Sequence, residues 1–250
     1  MNNPKQNFFL TKNNQKIHYK FINNKSFTTI IFLHGLMSNI NSKKAKHLKI
    51  FANKNKINLL LFDYSGHGKS SGQFTDFSIK NWIEDSRLII KELIKEGKIV
   101  FIGSSMGAWI GLVLIKYFYK RIKGVIGIAA APDFTKELIW KKLNIVEKNK
   151  IRKDKIYKLK SSYNNFYPIT KKFIFDAKKL LVLNKKIKCN FQVELLHGLK
   201  DSSVPWFYSI RLIKTLISKK LNLTIINDGD HSLSRAKDLK KLDLAIKNII

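Results

Sequence analysis

At 250 residues and 44% hydrophobic composition, the chain can bury the core of one large globular domain, with no need of a second. Its charge is unusual: 48 lysines and arginines stand against 17 acids, a formal +31, which raises an anionic partner such as nucleic acid or a membrane. The arginines are few and the lysines are scattered among apolar residues, the pattern of solvated faces in the product of an AT-rich genome. No nucleic-acid partner is therefore expected, and only weak attraction to anionic surfaces.

In chain order, Phe8–Leu10 and Lys16–Ile22 read as an edge hairpin turning at Asn13-Asn14. Thr28–Leu33 is a β-branched, buried strand that ends in His34-Gly35-Leu36, a tight turn whose backbone N–H groups can face a pocket. Lys43–Lys54 has helical spacing, and Ile57–Phe62 is the next strand. The turn Asp63–Gly72 is rich in glycine and serine but lacks the spacing of a phosphate-binding loop, which excludes nucleotide binding. Ser78 is an N-cap for a helix that runs to Glu96 before Gly97.

Ile99–Ile102 is a continuous apolar strand, Gly103-Ser104-Ser105-Met106-Gly107 fits Gly-x-Ser-x-Gly, and an apolar helix follows from Ala108. In that setting the pentapeptide is a nucleophile elbow, which holds a serine hydroxyl out at the end of a sheet. The uncharged run Ile99–Ile115 falls short of the roughly 20 residues a bilayer needs and is broken by the motif, so stable membrane insertion is excluded. Gly124–Ala131 is another buried strand.

From Pro132 to about Lys188 the strand–helix alternation lapses. This lysine-rich stretch, with Trp140, Tyr157, Tyr163, Phe166, Tyr167, Phe173 and Phe175, reads as a mostly helical, cap-like insertion (about 133–188) in a single domain. Phe191–Leu196, Trp206–Ser218, Asn222–Ile226 and Arg235–Ile250 then read as strand, helix, strand and amphipathic helix. Strands alternating with helices imply an α/β fold with a mostly parallel sheet covered on both faces. Cys189, the single cysteine, allows no intramolecular disulfide and no thiolate metal cluster. Met1–Gln6 carries no apolar segment of signal-peptide length, so a cytoplasmic, bacterial protein is expected, or a mitochondrial one if eukaryotic.

Three polar residues fall just past the carboxyl ends of separate strands: Ser105, Asp201 and His231. That sheet edge is where open α/β folds hold their ligands. A serine needs a base to take its proton, and the base needs a carboxylate to fix its tautomer and stabilise its cation. The backbone N–H groups of Leu36 and Met106 are candidate donors to an oxyanion. His34, His67 and His197 compete as base, but His34 and His197 precede glycines and suit backbone shaping. Asp228 and Asp230 suit turn formation, and Asp63 a structural corner.

From His34-Gly35 through His231 the chain resembles the α/β-hydrolases. Phe62–Gly66, Gly103–Trp109 and Leu195–Trp206 are similar to the palmitoyl-protein thioesterase and acyl-glucuronide esterase branch of that family, mitochondrial and bacterial. The resemblance implies a sheet of about eight strands, Ser105 as nucleophile, Asp201 as acid, His231 as base and no cofactor. It also implies a small-molecule or acylated-protein substrate with an ester or thioester bond. Trp109, Phe134, Trp140 and Trp206 are expected to line the acyl pocket. Within this class a short-chain carboxylesterase or lysophospholipase is the alternative; outside it, a non-catalytic basic protein that binds membrane or nucleic acid on a hydrolase scaffold.

Overall fold

The computed structural model describes residues 7–11, 14–153, 156–160 and 166–250. Strands β1 (Asn7–Leu10) and β2 (Lys16–Ile22) form an antiparallel edge hairpin. Asn14 donates to the Thr11 carbonyl within the connecting turn; Asn13, like Met1–Gln6, lies outside the described residues. Next come β3 (Thr28–Leu33), α1 (Lys43–Lys54), β4 (Asn58–Phe62), α2 (Ile79–Leu93), β5 (Lys98–Ser104), α3 (Met106–Phe118) and β6 (Ile122–Ile128). After a long connection, β10 (Gln192–Gly198), α6 (Phe207–Thr215), β12 (Leu221–Ile226) and α7 (Ala236–Lys247) complete the domain. The eight-stranded sheet has the order β1-β2-β4-β3-β5-β6-β10-β12, parallel from β4 to β12.

The period of two along each central strand decides which face each side chain serves. Ile31, Leu33, Leu60, Phe62, Ile99 and Phe101 pack with α2 and α3, whereas Ile30, Phe32, Leu59, Leu61, Val100 and Ile102 pack with α1 and α7. Both sets are apolar because both faces are covered, which is why these strands read as unbroken hydrophobic runs.

Helix α2 stops at Leu93, three residues before the sequence-predicted end. The guanidinium of Arg121 takes the carbonyls of Ile94 (2.8 Å), Glu96 and Gly97 (2.9 Å), so these groups are satisfied without continuing the helix. Strand β6 likewise ends at Ile128, where Ala129 turns to φ 45°.

The connection between β6 and β10 is not mostly helical. It holds a π turn at Thr135–Ile139, α4 (Ile145–Arg152), an antiparallel pair β7 (Tyr157–Lys160) and β8 (Phe166–Ile169), α5 (Lys171–Phe175) and a short β9 (Ile187–Lys188) paired with β11 (Leu216–Ile217). The hairpin escapes a sequence reading because its two strands are only four residues each, too short for alternation to stand out. Tyr163 lies outside the described residues. The buried carboxylate of Asp133 closes this segment on itself, accepting the N–H groups of Val182 (2.8 Å) and Leu183 (2.9 Å). No described helix is long and apolar enough to cross a membrane.

The β10 and β12 ends meet closely. A Cβ at Gly198 would overlap the Gly229 carbonyl, whereas one at Gly35 would make only ordinary contacts, the nearest being the Ser104 carbonyl at 3.4 Å. Gly198→Ala is therefore expected to cost more than about 2 kcal/mol in urea unfolding, and Gly35→Ala under about 1 kcal/mol. Equal losses would mean that the backbone at Gly198 relaxes freely.

Candidate active site

Ser105 caps α3 at φ 54° and ψ −116°, a conformation that L-residues avoid. The two glycines of the motif make it possible, since a Cβ at Gly103 would overlap Ala108 and one at Gly107 would overlap the Leu33 carbonyl. The turn is stitched to the end of β6: Ser105 N donates to Ile128 O (2.8 Å), and Ala131 N to Ser105 O (3.3 Å). Its hydroxyl then lies 3.1 Å from His231 Nε2, and His231 Nδ1 lies 2.7 Å from Asp201 Oδ2. The three side chains named from sequence are thus in one hydrogen-bonded line, brought there from the ends of β5, β10 and β12. A carboxylate can only accept, so Nδ1 carries the proton and the Nε2 lone pair faces the serine.

Asp201 is built to remain an anion. Burial alone would raise its pKa, but hydrogen bonds from His197 and His231, and from the Val204 backbone, hold it well below the usual carboxylate range. Its Oδ1 accepts the N–H groups of Ser203 (2.9 Å) and Val204 (2.8 Å). His197, fully buried, lies 3.3 Å from Asp201 Oδ2 and donates to the Val204 carbonyl at 2.9 Å, with the Ser209 hydroxyl at 2.7 Å from its other nitrogen. It braces the carboxylate and has no free face toward Ser105.

The other two candidate histidines are turned elsewhere: His34 Nδ1 bonds the Gly35 carbonyl, His67 Nδ1 the Ser65 carbonyl, and neither lines the cavity beside Ser105. Desolvation draws the pKa of His34 down to about 3, helped by neighbouring His67, and that of His67 down to about 4. Asp63 is the expected structural corner: one oxygen accepts Ile40 N at 2.8 Å, the other accepts from His18 Nδ1 at 2.9 Å and Lys69 N at 3.1 Å. Asp228 pairs with Arg235 at 2.9 Å, and Asp230 accepts Leu233 N at 2.8 Å, so both serve the His231 turn.

These groups open on a cavity of about 1100 Å³. Its apolar part is lined by Leu36, Phe134, Leu138, Ile139, Leu159 and Tyr167, its polar part by Ser and Asn side chains and by Lys43, Lys44, Lys142 and Lys160. Leu36 and Met106 both line it beside Ser105, and their backbone N–H groups have no hydrogen-bond acceptor among the described residues. Of the four expected pocket aromatics only Phe134 lines it. Trp109 is fully buried and spends its N–H on the Leu180 carbonyl (3.0 Å), pinning the β6–β10 connection to α3. Trp140 packs on Phe175 under Arg152, and Trp206 sits half exposed before α6. Large aromatics carry no directional signal in sequence, so lining and core residues look alike. Among the described residues no group of three or more His, Cys, Asp or Glu is placed to hold a metal ion.

The comparisons with known proteins bear on the family and the fold. Residues 28–148 match the family profile described as the alpha/beta hydrolase fold. The mitochondrial palmitoyl-protein thioesterase ABHD10 of Rattus norvegicus is 31% identical over 223 residues, which cover 88% of this chain and 74% of the relative. A solved structure named as a hydrolase from Agrobacterium vitis S4 superposes with a TM-score of 0.93 at 29% identity, covering 98% of both chains. ABHD10 from mouse superposes with a TM-score of 0.87 at 28% identity, covering 98% of this chain and 97% of that one.

Below the site, Asp85 is buried on α2 and accepts Ser65 N at 2.9 Å. Burial raises its pKa to about 6, against hydrogen bonds from Ser65. The folded protein therefore keeps this proton over a range, from about pH 4 to about 6, in which the unfolded chain has lost it. Stability falls across that window by roughly 2–3 kcal/mol and is level above it. Asp85→Asn keeps the acceptor and removes the titration. Relative to wild type, its urea midpoint is expected to improve between pH 4 and 6 and to hold a constant advantage to pH 8; parallel profiles would contradict the buried-acid reading.

Proposed function

The chain belongs to the α/β-hydrolase family, and on that premise we propose that it is a serine hydrolase that cleaves acyl thioesters or carboxylic esters through an acyl-enzyme. The observation that carries the reading is the line Ser105–His231–Asp201, opening on a large cavity with one apolar side. His231 Nε2 takes the proton as Ser105 Oγ attacks the acyl carbon. Asp201, ionised throughout, stabilises the imidazolium and fixes the ring. The oxyanion lies against the N–H groups of Leu36 and Met106, whose vacancy is what such donors require. The thiol or alcohol leaves with the proton from His231. Water, deprotonated by the same histidine, then attacks the acyl-Ser105 ester and releases the acid.

The acyl side is read from the cavity. At about 1100 Å³ it reaches the upper end of ordinary small-molecule sites, roughly 300–1,000 Å³. Its apolar lining comes largely from the connection between β6 and β10, which in this reading is the cap of a single domain and selects the chain. A palmitoyl-thioesterase-like preference for long chains follows, in keeping with the names of the relatives.

Hydrolysis of matched oxoesters and thioesters from about two to sixteen carbons tests this, with Ser105→Ala beside wild type. A long-chain thioester preference, lost by at least about 10³-fold in Ser105→Ala, is the expected result. Preference for short oxoesters would make the protein a general carboxylesterase, and preference for single-chain phospholipids a lysophospholipase. Folded wild type as inactive as Ser105→Ala would overturn the catalytic reading and favour the binding scaffold.

A further inference from the structure

Lys44 stands in the first turn of α1, two residues after the N-cap Ser42, yet it is only 8% exposed. Lysine ordinarily buries its stem and leaves its ammonium in water. Here Nζ crosses to the turn that follows His231, donating to the Ser232 carbonyl and, at 3.2 Å, to the Ser234 hydroxyl. The charged groups facing it are Asp230 of that turn and Asp238 of α7, both favouring the ammonium; Asp238 is itself bonded to Arg235 at 2.8 Å. Burial works the other way and draws the Lys44 pKa down to about 8.

The turn is braced within itself, Asp230 accepting Leu233 N and Arg235 pairing with Asp228 across its ends; the Lys44 ammonium is what ties it to α1. On its other side Lys44 is continuous with the segment that carries Leu36, itself fixed where Ile40 N meets Asp63. One side chain thus links the strand end carrying the candidate oxyanion donor to the turn carrying the candidate base.

We propose that Lys44 is a positioning residue for the hydrolytic reaction: its ammonium clamps the Ser232–Ser234 turn to α1 and so keeps the His231 imidazole in reach of Ser105. The inference rests on the reading of His231 as base. It does not place Lys44 in contact with the reacting atoms.

The test compares wild type with Lys44→Met, which keeps the stem and removes the donors, and Lys44→Arg, which keeps a permanent cation. Lys46→Met, on the exposed side of the same helix, controls for loss of one charge. Melting confirms folding; kcat and KM on a medium-chain ester and the labelling rate of Ser105 by a fluorophosphonate report alignment. Lys44→Met is expected to lose about 10- to 100-fold in kcat and in labelling rate, with KM within about two-fold. Lys44→Arg should recover most of this, and Lys46→Met should match wild type.

Lys44→Met with wild-type labelling and turnover, or with a change in KM alone, would overturn the clamp while leaving the triad intact. Wild type that the fluorophosphonate does not label would overturn the reading of Ser105 and His231, and the clamp with it. Should Lys44→Met fail to fold, Lys44→Gln, too short to reach the Ser232 carbonyl, decides: wild-type turnover and labelling in that variant would overturn the clamp.

Discussion

The backbone of Ser105, held at φ 54°, is the constraint on which the rest of this structure depends. An L-residue in so sparsely populated a region costs about 1–3 kcal/mol and persists only where its surroundings over-determine it. Here they do. The residue before the turn belongs to a strand paired on both sides, and the residues after it enter a helix buried over almost its whole first half. Gly107 lets that helix touch the Leu33 backbone at the end of β3. The same contact that permits the strain brings the β3 turn, with Leu36, beside Ser105. The candidate nucleophile and the candidate oxyanion donors are therefore not placed independently; one close approach of helix to sheet sets both.

That coupling explains what could be read from sequence. Elbow, strands and strand ends were legible because each follows from local chemistry: glycine on either side of the serine, and apolar runs with polar residues just beyond them. Asp201 and His231 could be picked out as candidates, and are found beside Ser105, because only certain residue types at the carboxyl edge can support a serine. The β6–β10 connection was less legible, since its short elements are stabilised by contacts distant in sequence, such as Asp133 with Val182 and Trp109 with Leu180. Lys44 was invisible for the same reason. In a chain with 48 lysines and arginines, one at a helix start is unremarkable until its partner, 188 residues away, is known.

Beneath the site lies a layer of buried polar groups that a hydrophobic core would not require. Asp63 gathers Ile40 N, His18 and Lys69 N; Asp85 takes Ser65 N; Trp82 donates to the Ser65 carbonyl at 3.0 Å. The Nε2 atoms of His34 and His67 have no hydrogen-bond partner among the described residues. Burying such groups is unfavourable, and the neutral histidines and the raised pKa of Asp85 register that cost. What the layer contributes is rigidity of a different kind from packing. Directional bonds fix the turns after β3 and β4, which apolar contacts alone would leave free to slide, and the first of these carries Leu36.

The large positive charge finds a local meaning at the same place. Over the whole molecule, charges further apart than about 8 Å are largely screened at physiological ionic strength, so +31 says little about any one site. The cavity is different, because its walls exclude some of that solvent. Among the described residues four lysines line it and no aspartate or glutamate does; Asp201 lies behind His231, accepting hydrogen bonds from it and from two backbone N–H groups. In the proposed reaction negative charge grows on the carbonyl oxygen in front of the serine, and positive charge on the imidazole behind it. A cavity positive in front and a fixed anion behind oppose neither change.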